Sequence, residues 1–187
     1  MNDLKPGIVA ALVSALVLAV VSTFGDWLWT HYIPDGAVIP GVLHGAVIFL
    51  VLAGTLAWSA GTRQAARRLL PSLPAAGIVI AAVFYPLAYA VGYIGALIIT
   101  WMVMWLAMAC LQRWARDGAE SLGHALLRGV LAAIASGLAF WAISGIWTKP
   151  APGGPNYLVH FASWAFAFLP GFLALLVRQP VVKQPES

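Results

Sequence analysis

Long apolar runs separated by short polar joints fill the chain, and each run is long enough to cross a bilayer. About 20 mostly apolar residues in a helix span the roughly 30 Å hydrocarbon core. Residues 7–30 form the first such run, behind the polar start Met1-Asn2-Asp3-Leu4-Lys5-Pro6. Its length and the lack of a small-residue cleavage site argue against a removed signal peptide. Residues 40–59 form the second. From Pro74 to Cys110 no charged residue occurs. That stretch is too long for one crossing, and Gly92-Tyr93-Ile94-Gly95 divides it into spans over 75–91 and 95–111. Residues 122–147 and 157–177 complete the set. The pattern predicts one all-α, polytopic membrane domain over residues 1–187, with six transmembrane helices.

The basic residues set the orientation. With six spans, Lys5, Arg63, Arg67, Arg68, Arg113, Arg116, Arg128, Arg178 and Lys183 share one side, and only Lys149 lies on the other. A single long helix over the third and fourth runs would scatter them. The positive-inside rule then places both the N- and C-termini in the cytoplasm. A bacterial inner or plasma membrane fits this reading better than the endoplasmic reticulum. Aromatic residues mark the interfaces. Trp27, Trp29 and Tyr32 close the first span, Trp141 and Trp147 line the outer part of the fifth, and Tyr157 and Trp164 open the sixth. Trp58, Trp105 and Trp114 are expected toward the inner side.

Composition narrows the function classes. The chain is 62% apolar and 9% charged, against about a quarter charged in soluble domains. The net charge of +4 comes from basic residues dispersed in short loops, without the basic face or arm that nucleic-acid binding needs. The single cysteine, Cys110, lies in an apolar run and reads as a packing residue.

The outer joints carry turn chemistry, in Ile33-Pro34-Asp35-Gly36 and in the Pro/Gly-rich segment after Lys149. The inner joints, residues 61–70 and 112–127, mix Arg with Leu and Ala and read as short amphipathic helical stretches at headgroup level. Gly41 and Gly45, four apart, permit close helix approach. Leu43-His44-Gly45-Ala46 and Val159-His160-Phe161-Ala162 share a faint similarity, each opening a span after an outer loop.

Ionisable residues at membrane depth are costly and so become site candidates. Here they gather at the outer rim: Asp26, His31, Asp35, His44 and His160, with Asn156 and Lys149 close in sequence. His44 and His160 each sit one turn into a span. Asp26, His44, His160, Trp27 and Asn156 are the candidate ligand-binding residues. No His-x-x-His, His-x-x-x-His or HExxH pair appears, so neither a metal nor any other cofactor is expected. There is no Gly-x-Ser-x-Gly elbow and no phosphate loop, and no catalytic residue is assigned. On the inner side His124 stands beside Asp117 and Glu120, a solvated helix start with Ser121 or Asp117 as cap. The span centres hold only Thr100 and Ser136 as deep hydroxyls, each expected to bond its own helix. Ion transport, which uses polar groups at the midplane, is therefore disfavoured.

Several stretches resemble the insulin-induced gene protein (Insig) family in its bacterial form. Ile39-Pro40-Gly41 through Trp58 is similar to the family's second helix, and Gln112-Arg113-Trp114-Ala115-Arg116-Asp117-Gly118 to the loop after its fourth. Trp141-Ala142-Ile143-Ser144-Gly145-Ile146-Trp147 is similar to the end of its fifth. The family's partner-binding aspartate falls nearest to Gln112, with Asp117 displaced, so partner binding of the eukaryotic kind does not carry over. The resemblance implies a bundle with a central cavity for a sterol-like lipid or diacylglycerol, and no enzymatic activity. The expected partner is therefore a membrane lipid. The competing classes are an enzyme acting on lipid through the outer-rim Asp and His residues, and an assembly subunit held by another membrane protein.

Overall fold

A computed structural model describes residues 4–33, 38–117, 120–147 and 156–177. The outer turn with Asp35, the outer segment with Lys149, and the C-terminal Arg178 and Lys183 lie outside them. So do the side chains of residues 142–147, which include Trp147. The described residues form α1 (Leu4–Tyr32), α2 (Val38–Ala60), α3 (Arg63–Val91), α4 (Tyr93–Ala115), α5 (Leu122–Trp147) and α6 (Tyr157–Leu176). All six are long and apolar enough to cross a membrane. In lipid a helix satisfies its own backbone donors and acceptors, which explains why apolar runs of this length take that form. The protein is a multi-pass, all-α membrane bundle.

Each helix packs on its sequence neighbours and α6 returns to α1, closing a ring; α1 and α2 touch least. Gly7 near the start of α1 lies against Leu176 and Val177, while Asp26 near its end meets His160, so these two helices run antiparallel. With six crossings, the starts of α1, α3 and α5 and the ends of α2, α4 and α6 share one end of the bundle. Among the described residues every lysine and arginine sits at that basic end.

The divide between α3 and α4 is Gly92 alone. Its φ of 80° and ψ of 160° are open to glycine and strained for a side chain. The other end of α3 departs from expectation. Residues 61–70 are not a separate inner segment, because α3 starts at Arg63 and runs without a break through Pro71, Pro74 and Pro86. Thr62 caps it, its hydroxyl accepting from Ala65 N at 3.2 Å. Pro71 and Pro74 do not end the helix, because each proline removes only one donor and the intact turns on either side maintain it.

Polar side chains knit the basic end together. Asp117, at φ 54°, accepts from Arg68 at 2.5 Å and from Gln64 at 2.8 Å, and Arg68 also donates to Trp114 O at 2.7 Å. Asp117 thus ties α3 to the turn after α4, and Ser121 is the cap of α5, accepting from His124 N at 3.2 Å. Arg128 reaches from α5 to Glu120 and to Leu175 O, where a cation meets the carbonyls ending α6.

The interior is unevenly filled. Trp101, Phe140, Trp164 and Phe168 form a closed quartet of rings, with centroids 5.4 to 5.7 Å apart, among α4, α5 and α6. Below it Trp105 stacks edge-on to Phe172 at 5.3 Å and lies over Gly171. Trp105 is therefore a core residue, wholly buried, and not an inner-interface anchor. Trp164 likewise turns inward and away from the lipid. Ser136 bonds α6 at Ala167 O and not its own helix, pinning α5 to α6. The α2–α3 side of the bundle has no such column of rings.

Candidate functional site

At the rim opposite the basic end, the last turns of α1 stand between the first turns of α2 and α6. Trp164 Nε1 donates to Asp26 Oδ2 at 2.7 Å, and His160 Nδ1 donates to the same oxygen at 3.1 Å. His160 and Trp164 are four apart, one helical turn, so both reach one carboxylate oxygen. The Asp26 and His160 side chains are 26% and 15% exposed, so the pair is largely covered, with one edge at the surface of the bundle.

His44 comes to α1 from the other flank. Gly25 has no side chain there, and a Cβ at that position would lie 2.1 Å from His44 Cε1. The imidazole therefore rests on the α1 backbone one residue before Asp26, with its face tilted toward Trp29 at 6.3 Å. Among the described residues its ring nitrogens have no hydrogen-bond partner. The faint similarity between the openings of α2 and α6 acquires a geometric meaning here, since His44 and His160 flank the same turn of α1.

The other candidates have other places. Trp27 lies on α1 against Phe24, His31 and Tyr32, at ring distances of 5.5, 5.4 and 5.3 Å. Its neighbour His31 donates from Nδ1 to Trp27 O at 2.8 Å, one turn back on its own helix. Asn156 is the N-cap of α6, its side-chain oxygen accepting from Val159 N at 3.3 Å. Among the described residues no group of three His, Cys, Asp or Glu is arranged to hold a metal ion.

A pocket of about 190 Å³ opens between α2, α3 and α4, lined chiefly by Gly41, His44, Phe49, Gly77, Tyr85 and Thr100. Of the five sequence candidates only His44 lines it. Its walls follow from small residues on α2 and α3. The Tyr85 hydroxyl lies over Gly41, where a Cβ would stand 1.7 Å away, and Phe49 packs on Gly77. Thr100 donates to Ala96 O at 2.8 Å, within its own helix, which leaves an oxygen lone pair available as an acceptor. Reading the sequence missed Tyr85, Phe49 and Gly77. Gly41 and Gly45 were a signal for close α2–α3 packing, but nothing local marks which aromatic residues come to lie over them.

Compared with protein-family models, curated proteins and solved structures, the chain matches none. The class the fold defines is thus that of a six-helix, multi-pass membrane protein.

Proposed function

We propose that this protein is a non-enzymatic lipid-binding membrane protein. It holds a diacylglycerol- or sterol-like lipid in the pocket between α2, α3 and α4. One observation carries the reading: an apolar pocket in a membrane bundle has at its rim an imidazole without a hydrogen-bond partner. A buried or half-buried polar group normally has a partner, and a lipid's polar end supplies one while its chain meets the apolar walls. Pro40-Gly41 to Trp58, the stretch that resembles Insig, forms the α2 wall, and that kinship is part of the proposal. The bundle sits in a bacterial inner or plasma membrane with its basic end in the cytoplasm, by the positive-inside rule. The test is native mass spectrometry of protein purified in a mild detergent. A retained lipid lost in His44→Ala is the expected result; protein that is always empty and that no added lipid stabilises refutes the proposal.

The Asp26–His160 pair favours a second reading, a lipid-modifying enzyme at the rim. A carboxylate that orients an imidazole is the arrangement general-base chemistry uses. Turnover of an added lipid, abolished in Asp26→Ala with binding retained, would replace the first reading by this one.

A further inference from the structure

The basic end of the bundle carries more cations than the chain can neutralise. With six crossings, nine of the ten basic residues share that end with only four acidic side chains, Asp3, Asp117, Glu120 and Glu186. Arg68 holds Asp117 and Arg128 holds Glu120. Asp3 and Glu186 lie outside the described residues, and even if each holds one cation, five basic residues remain. By the positive-inside rule this end meets the cytoplasmic leaflet, where anionic lipids attract arginine and lysine.

Arg63 and Arg67 give that attraction a definite site. They stand one turn apart on the first part of α3, both exposed, and like charges at this spacing repel. Gln64 and Arg68, their neighbours round the helix, engage both oxygens of Asp117, so that carboxylate does not relieve the pair. A phosphate between Arg63 and Arg67 turns the repulsion into attraction and accepts from both guanidinium groups. Toward the membrane the same face becomes apolar. Ala65, Leu69, Leu73 and Gly77 are the buried positions of α3 and recur every four residues. The row two places on, Arg67, Pro71, Ala75 and Val79, lies about 200° round the helix from them and is exposed throughout. In its apolar stretch α3 also has the smallest buried share of the six helices, so this row faces lipid. From Arg67 to Val79 the helix rises about 18 Å, against about 15 Å for one leaflet of the hydrocarbon core. Arginines at one end of an apolar track one leaflet long match a phospholipid from headgroup to chain end. A soluble phosphate would use the arginines alone.

We propose that Arg63 and Arg67 bind the phosphate of an anionic phospholipid of the cytoplasmic leaflet, with an acyl chain lying along Pro71, Ala75 and Val79. The site lies on the far side of α3 from Gly77, which lines the pocket, so the two sites stand or fall separately. The test titrates the intact protein in neutral detergent with phosphatidylglycerol and with phosphatidylcholine of the same acyl chains. Native mass spectrometry reads the bound lipid, and variants are compared at unchanged helicity. Phosphatidylglycerol is expected to bind about tenfold more tightly, because no choline cancels its negative charge. Arg63→Gln with Arg67→Gln should bring the two lipids to within about twofold of each other. Lys5→Gln with Lys183→Gln, an equal loss of charge at the same end, should keep the preference. Equal binding of the two lipids by the wild-type protein overturns the proposal, as does a preference that survives the arginine variant. Equal loss in the lysine variant assigns the effect to diffuse charge and overturns the site. Displacement of the phosphatidylglycerol by sn-glycerol 3-phosphate at the same concentration overturns the lipid as occupant.

Discussion

Replacing Gln112 by leucine should stabilise the protein. Gln112 lies on the face of α4 that also carries Trp101, Trp105 and Met108, at spacings that bring all four to one side of a helix. It is 1% exposed, and neither Oε1 nor Nε2 has a hydrogen-bond partner. An amide buried without a partner costs about 1–3 kcal/mol by the evidence of protein substitutions. Leucine is of similar size, keeps the packing against the apolar interior, and removes both orphaned atoms. The expected gain is therefore about 1–3 kcal/mol, a rise in Tm of roughly 2–10 °C for a chain of this length. Thermal unfolding in detergent, followed by helicity, measures it directly. Gln112→Asn is the control, since it keeps the amide, leaves a gap and should destabilise. A Gln112→Leu protein less stable than wild type by more than about 1 kcal/mol would refute the reasoning, because it would mean that the amide is hydrogen-bonded.

Other outcomes follow from the same structure. Asp26→Ala takes the acceptor from the Trp164 and His160 donors and should cost about 1–2 kcal/mol, the lower part of the range for bonds to a charged group because the site is partly exposed; Tm is the readout. Gly92→Ala forces a side chain into the glycine-only conformation between α3 and α4 and should cost about 1–3 kcal/mol by the same assay. Arg128→Met frees Glu120 and the Leu175 carbonyl, and a loss of about 1–2 kcal/mol is expected, smaller at high salt. Tags on the two chain ends should be labelled from the same compartment, and labelling from opposite ones would remove the six-span arrangement.

The spans were legible because lipid imposes a single rule on the backbone, and apolar length together with the one-sided arginines expresses it. The α3–α4 divide was legible for the same kind of local reason: Gly92 is where the chain must turn. The beginning of α3 was legible only in part: residues 61–70 read as helical at the headgroup level, but the prolines hid that the helix runs on without a break into the span. Asp26, His44 and His160 stood out as costly groups at one depth, and the structure joins Asp26 to His160 and sets His44 beside them. What the sequence left hidden was the division of labour. Asn156 was visible as a polar residue near the rim, but its work as a helix cap depends on its backbone position. The pocket arises from the meeting of three helices, a matter of inter-helix register that no local pattern encodes.

The prolines of α3 have a mechanical consequence. Pro71, Pro74 and Pro86 each withhold a donor, so the carbonyls of Arg67, Leu70 and Ala82 lose their usual partner one turn back. The helix that supplies Gly77, Ile80, Ala81, Phe84 and Tyr85 to the pocket thus has three gaps in its hydrogen-bond ladder, against one in α6, and it faces the ring-packed side of α4. On the proposed lipid-binding reading, a lipid's girth would be accommodated by flexure of this wall of the cavity and not of the ring-packed side of α4.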